Sequence, residues 1–298
     1  MSHPLDSARL KIERADEQLA DLTRDANAFF QTGPYEIVVE HDEQTGDQVL
    51  RARVLREPPL NFAVVVGDIV HELRSSLDHV VWQLVLVNDD QPDGSTEFPI
   101  FWEPKAYASA GQRKIRGVGA AAAAQVERLQ PYKVGERFRD HALYVVHQLN
   151  IRDKHQTLNI VGAAFQKQRL NLGAGGGAEG AGVPSFFVSK KTQLGGAQSL
   201  GVHRKGVGTV WFGGLAVGGS GMIPLRDGAE VLRIRTEGNP SVDVQAELAY
   251  AMVFDQSGPG KGQAVLPLLR QLIDSVRVDV ELFAPFFADH AGVSPSTK

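Results

Sequence analysis

Val64–Asn88 reads VVVGDIVHELRSSLDHVVWQLVLVN. At about 100° per residue, Phe62, Val66, Ile69, Leu73, Leu77, Val80 and Leu84 share one arc of a helix. Arg74, Asp78, His71, Ser75, Asp68, His79 and Glu72 fill the other. One face is built for burial, and the other presents acid, base and cation side chains. The stretch therefore anchors both the fold and the candidate chemistry.

Working outward, residues 5–30 form a second amphipathic helix. Asp6 or Ser7 serves as its cap, and Leu10, Ala15, Leu19, Leu22, Ala26 and Phe29 make its apolar stripe. Gly33 and Pro34 end it. Two strand-like runs, 35–41 and 48–56, flank the turn residues DEQTGD and predict a hairpin. Beyond the central stretch, short helices are expected from Pro104 and over 119–130. A longer one is expected over 135–152, with Phe138, Ala142, Val145, Val146 and Leu149 on one face. It runs into Arg152, Asp153, Lys154 and His155, where cations offset the helix dipole.

From about residue 157 the pattern changes to short strands, at 158–165, 184–189, 208–213, 229–236 and 243–254. A glycine-rich run at 173–182 reads as a mobile loop. A closing helix over 263–284 carries Leu266, Leu269, Leu272, Ile273, Val276, Val280 and Phe283. The fold class is α+β: a helical bundle combined with an antiparallel β-sheet, the C-terminal helix returning to the bundle. Residues 1–156 make the mainly helical part, with the hairpin at about 35–56, and 157–298 the sheet and last helix. The returning helix makes the two parts one intertwined unit.

The 298 residues are enough for a large buried core, and 43% hydrophobic with 22% charged residues is the balance of a globular chain. A net charge of −4 gives no global basic character for nucleic-acid binding. The absence of cysteine excludes disulfides, thiolate metal sites and cysteine nucleophiles. The N-terminus lacks a basic-then-apolar leader, and no apolar run approaches the ~20 residues of a membrane span. The expectation is a cytoplasmic protein with no membrane association.

On the central helix, Arg74 and Asp78 are four residues apart and can pair, as can His71 with Ser75 and Ser75 with His79. Arg74 and His79 stand about 140° apart on the polar arc. Asp68 and His71, at i and i+3, offer a weak alternative as metal ligands, but no second Glu-x-x-His and no His-Glu-x-x-His occurs. GPGKG at 258–262 lacks the first glycine of a phosphate loop and has Gly262 where Ser or Thr should follow Lys261. It reads as a strand-to-helix connection. No cofactor is expected.

The Arg74-x4-His79 spacing in RSSLDH resembles the signature of HEPN-type domains, helical bundles that include many metal-independent ribonucleases. The resemblance implies an HEPN-like bundle and RNA as partner. His79 would handle protons around the 2′-hydroxyl and the leaving oxygen, and Arg74 would stabilise phosphate charge. It also implies a homodimer that brings two motif helices together. Ser75 departs from the more polar residue typical at that place, and the motif helix comes early in the chain. The blocks LRSSLDHVVWQL, FPIF, LQPY and LNIRDKH resemble an uncharacterised bacterial family with LRSxLDH and DKH blocks, over most of residues 60–160. That likeness implies that Arg74, Asp78, His79, Asp153, Lys154 and His155 belong to one assembly.

Two function classes follow. The first is a metal-independent ribonuclease, a toxin or phage-defence component, with His79 and Arg74 catalytic and His71, Asp78 and Asp153–His155 in support. The second is a non-catalytic binding or scaffold protein whose Arg/His/Asp cluster is a structural polar network. The direction of the side chains separates them: solvent-lined and convergent for the first, sealed and mutually paired for the second.

Overall fold

The structure, a computed structural model, describes residues 3–174, 187–194, 197–204, 208–212, 223–235, 242–255 and 258–290. Helix α1 spans Asp6–Gln31 and buries Ala8, Ile12, Ala15, Leu19, Leu22 and Ala26, a 4-3-4-3-4 seam. Leu10, expected on that seam, is 63% exposed, because two residues turn it about 200° away from Ile12. The cap also differs from expectation. Leu5 occupies it, and the Asp6 carboxylate instead accepts the His3 backbone N–H at 2.6 Å.

Strands β1 (Tyr35–His41) and β2 (Gln48–Val54) form the hairpin, in register from Tyr35↔Val54 to His41↔Gln48. Its arginines are paired: Arg51 donates to Glu40 at 2.8 Å and Arg53 lies 3.9 Å from Glu36. Helix α2 (Leu60–Leu86) starts behind Pro59, whose carbonyl accepts the Phe62 N–H at 3.0 Å. All seven residues of the expected apolar arc are buried. Val70, Arg74, Val81 and Val85 are buried as well. The reason is tertiary, since α2 packs against α1 on one side and two further helices on others.

Pro104 opens a helical stretch made of α3 (Pro104–Ala106), a wide π turn (Tyr107–Gly111) and α4 (Gln112–Lys114). Helix α5 (Ala120–Arg128) follows and stops before Pro131. A 3-10 segment, Pro131–Asp140, then replaces the first part of the helix expected over 135–152. Gly135 has φ 64 and ψ −135, which no helix accommodates. Helix α6 therefore begins only at Ala142 and runs to His155, capped by the His141 ring, whose Nδ1 accepts the Leu143 N–H at 3.3 Å. Phe138 is left outside α6 and meets Tyr144 edge-on at 5.2 Å.

The remaining strands are β3 (Ile160–Ala174), β4 (Phe187–Leu194), β5 (Ala197–Arg204), β6 (Gly208–Phe212), β7 (Ile223–Pro224), β8 (Glu230–Arg235) and β9 (Val242–Phe254). β5 and β7 had no counterpart among the expected strands. All pairings between these strands are antiparallel, in the orders β1-β2-β8-β6-β5-β4 and β7-β3-β9. Of the glycine-rich run, Gly173 and Ala174 pair with Asp243 and Val242, and 175–182 lies outside the described residues. Helix α7 (Val265–Glu281) buries Val265, Leu268, Leu269, Leu272, Ile273, Val276 and Val280 and packs on α1, α2 and α6. The main core sits where these four helices meet, closed at one end by Phe283 and Phe287. The chain is thus mixed helix and antiparallel sheet, as α+β requires. Among the described residues no helix is long and apolar enough to cross a membrane.

Candidate functional site

Arg74 is 5% exposed, so it does not stand on an open polar face. The extended FPIF run passes beside α2 and supplies its partners. Arg74 Nη1 donates to Asp78 Oδ1 at 2.6 Å, and Nη2 donates to the Phe98 carbonyl at 2.8 Å and to Glu97 Oε2 at 3.3 Å. The Phe98 N–H returns a bond to Asp78 Oδ1 at 2.8 Å, and Lys114 closes the cluster on the other Glu97 oxygen. Burial raises the Asp78 carboxyl above its ordinary value, against the pull of Arg74 and the Phe98 N–H. Glu97 lies below its ordinary value: burial pushes it up, and Lys114 together with Arg74 outweighs that. The guanidinium's favour therefore falls unequally on two carboxylates. The geometry at Asp78, two donors converging on one oxygen, is that of an ion pair.

His79 faces elsewhere. It lines a recess of about 290 Å³ with Ser7, Asp78, Trp82, Gln83 and Thr96. Trp82 is 43% exposed there. Among the described residues no hydrogen bond or ion pair joins Arg74 to His79. Asp78 is the one residue common to the Arg74 cluster and the recess.

α2 and α6 lie side by side and antiparallel. The Arg74 charge bears on His147 at one level, and Gly67 meets Asp153 about two turns away. A Cβ at position 67 would lie 2.2 Å from Asp153 Oδ1, so only glycine admits the carboxylate at this distance from α2. Burial and the neighbouring Asp68 raise the Asp153 carboxyl, and His71 partly offsets them. His71, Lys154 and His155 are exposed. The residues that the sequence grouped into one assembly thus fall into separate places. Asp153 joins Asp68 and His71; Arg74 and Asp78 join Glu97 and Lys114; His79 opens on its own recess. Among the described residues no three histidines or carboxylates are arranged to hold a metal ion, Asp68 and His71 included.

His147 is the residue that sequence reasoning missed. Burial, then the Arg74 and Lys114 charges, push its imidazole down to about 4, with Glu97 opposing them. Its Nδ1 is buried and has no hydrogen-bond partner among the described residues. The signal for it was a histidine set between Val146 and Leu149, on the buried side of α6. Glu97 and Lys114 left no such signal as a pair, because they stand 17 residues apart, beyond any helical spacing. Comparison with protein families, curated proteins and solved structures finds no match to this chain.

Proposed function

We propose that this chain is a non-catalytic binding or scaffold protein in which the Arg74 cluster is a structural polar network. The burial of Arg74 carries the reading. A guanidinium that stabilises a scissile phosphate must face the phosphate, whereas this one is sealed and spends its donors on Asp78, Glu97 and the Phe98 carbonyl. The network fastens the FPIF run to α2. The recess beside it supports the binding half of the proposal. Its volume is near the lower end of small-ligand sites, ~300 Å³. An exposed indole beside an imidazole and an amide suits a ring-bearing polar ligand.

The ribonuclease reading keeps one supporting observation, the opening of His79 onto that recess beside Asp78. A homodimer would then have to bring a second motif helix to it. Arg74→Ala and His79→Ala separate the two readings. Under the binding-protein reading, the wild type leaves single-stranded RNA intact in the presence of chelator, Arg74→Ala unfolds at lower denaturant, and His79→Ala keeps its stability. Metal-independent cleavage of RNA by the wild type, lost in a folded His79→Ala variant, would establish the nuclease instead.

A further inference from the structure

A second recess, of about 420 Å³, lies where the end of the 3-10 segment and the start of α6 meet the strand-to-helix turn before α7. Arg139, Asp140 and Tyr144 form one wall, and Gly258, Pro259, Gly260, Lys261 and Gln263 the other. The turn depends on its glycines: φ is 112 at Gly258, 81 at Gly260 and 69 at Gly262, values that side-chain-bearing residues rarely adopt. This conformation brings Lys261 to the same recess as Arg139. It also lets Arg152 approach, with Nη2 3.5 Å from where a Cβ at position 258 would stand.

Among the described residues, Arg139, Arg152 and Lys261 have no ion pair with a carboxylate. Most other arginines near α1, α2 and α7 do, such as Arg9 with Glu281 and Arg277 with Asp274. Two unpaired cations, Arg139 and Lys261, thus line one recess whose lining holds a single carboxylate, Asp140, and Arg152 comes up to its Gly258 edge. Arg139 is pre-positioned, its guanidinium over the Phe138 ring at 5.4 Å. Tyr144 is braced edge-on by Trp102 at 5.4 Å and by Phe138.

We infer that this recess binds the phosphoryl group of a small phosphate monoester through Arg139, Lys261 and Arg152. Guanidinium forks and an ammonium match a dianion with several acceptor oxygens. The site is not a phosphate loop. The N–H groups of Lys261, Gly262 and Gln263 are spent on the carbonyls of Gly258, Phe254 and Gly260, so side chains and not backbone hold the anion. The recess exceeds a phosphate group in size and leaves room for the organic part along Tyr144. The inference shares no residue with the Arg74 cluster and stands or falls independently of it.

Titration of the full chain with inorganic phosphate, AMP and adenosine, followed by calorimetry and by amide NMR shifts, tests it. The expected result is saturable binding of AMP and of phosphate, none of adenosine, and shifts centred on 139–144 and 258–263. Lys261→Gln and Arg139→Gln should each weaken binding at least ~10-fold, about the loss of one charge-assisted contact. Both side chains are exposed and unpaired, so the variants should keep the wild-type unfolding midpoint. Arg24→Gln, on α1 far along the chain, is the charge control and should leave binding unchanged. Absence of phosphate and AMP binding by the wild type, or binding that both variants retain, would overturn the inference. Equal binding of AMP and phosphate identifies the phosphoryl group alone as the ligand; tighter binding of AMP adds contacts to the organic part.

Discussion

The contact between α2 and α6 has two ends built on opposite principles. At one end Arg74 is sealed, and both of its terminal nitrogens donate to a carboxylate or a carbonyl. At the other, the Asp153 carboxylate rests on Gly67 with Asp68 as a like-charged neighbour and only the exposed His71 to offset it. Similar residue types on the same pair of helices thus stabilise at one level and strain at the next. What differs is the neighbour from outside the pair. The FPIF run brings Glu97 and two backbone groups to the Arg74 end, and the Asp153 end receives no such partner among the described residues.

Removing Arg74 should have the largest effect on stability. Arg74→Ala leaves the half-buried Asp78 without its cation and Glu97 with Lys114 alone, and should cost about 2–3 kcal/mol in urea unfolding, discounted from a fully buried pair because both carboxylates reach solvent. In an Asp78→Ala background the further loss should be smaller, because one orphaned carboxylate is gone. A loss under ~1 kcal/mol in the wild-type background would mean that the network is not structural.

At the opposite end Gly67→Ala places a Cβ against Asp153 and should destabilise by about 2 kcal/mol. In an Asp153→Ala background the same change should stabilise by about 1 kcal/mol, the helix preference of alanine over glycine. A double-mutant cycle in chemical denaturation reads the coupling; additive effects would show that the carboxylate does not rest on residue 67.

His147 sharpens the contrast through pH. Its imidazole titrates near 4 in the folded chain and near 6.5 in the unfolded one. Between those values the unfolded state binds the extra proton, so stability falls as pH drops from about 6.5 to about 4. The loss should reach about 1–2 kcal/mol, discounted from the full shift because the ring is only half-buried. His147→Leu should flatten this stretch of the stability–pH curve, and an unchanged slope would remove the imidazole from the cluster.

The smallest effect belongs to Asp153→Asn. The raised carboxyl contributes stability at low pH that is lost as pH rises through its folded value, so the amide should be more stable at neutral pH, by about 0.5 kcal/mol. A neutral-pH loss of stability would instead assign Asp153 a favourable partner.

The helices, their apolar stripes and the antiparallel character of the strand-rich half were legible in the chain's local pattern. Those follow from local periodicity and from glycine and proline punctuation, and the seven-residue arc of α2 is buried as its spacing requires. The same local rules misplaced Leu10 and began α6 too early, where one glycine at φ 64 decided the boundary. Which face of α2 was polar in the folded chain was a tertiary matter. Helical spacing put Arg74 and His79 on one arc, but burial depends on what packs there, and α6 and FPIF come from distant sequence. Only those long-range contacts turned Arg74 inward, left His79 at a recess, set Asp153 on Gly67, and brought Arg139 and Lys261 to one cavity with Arg152 at its edge. Periodicity records a residue's own helix, whereas charge pairing and burial record its neighbours through space.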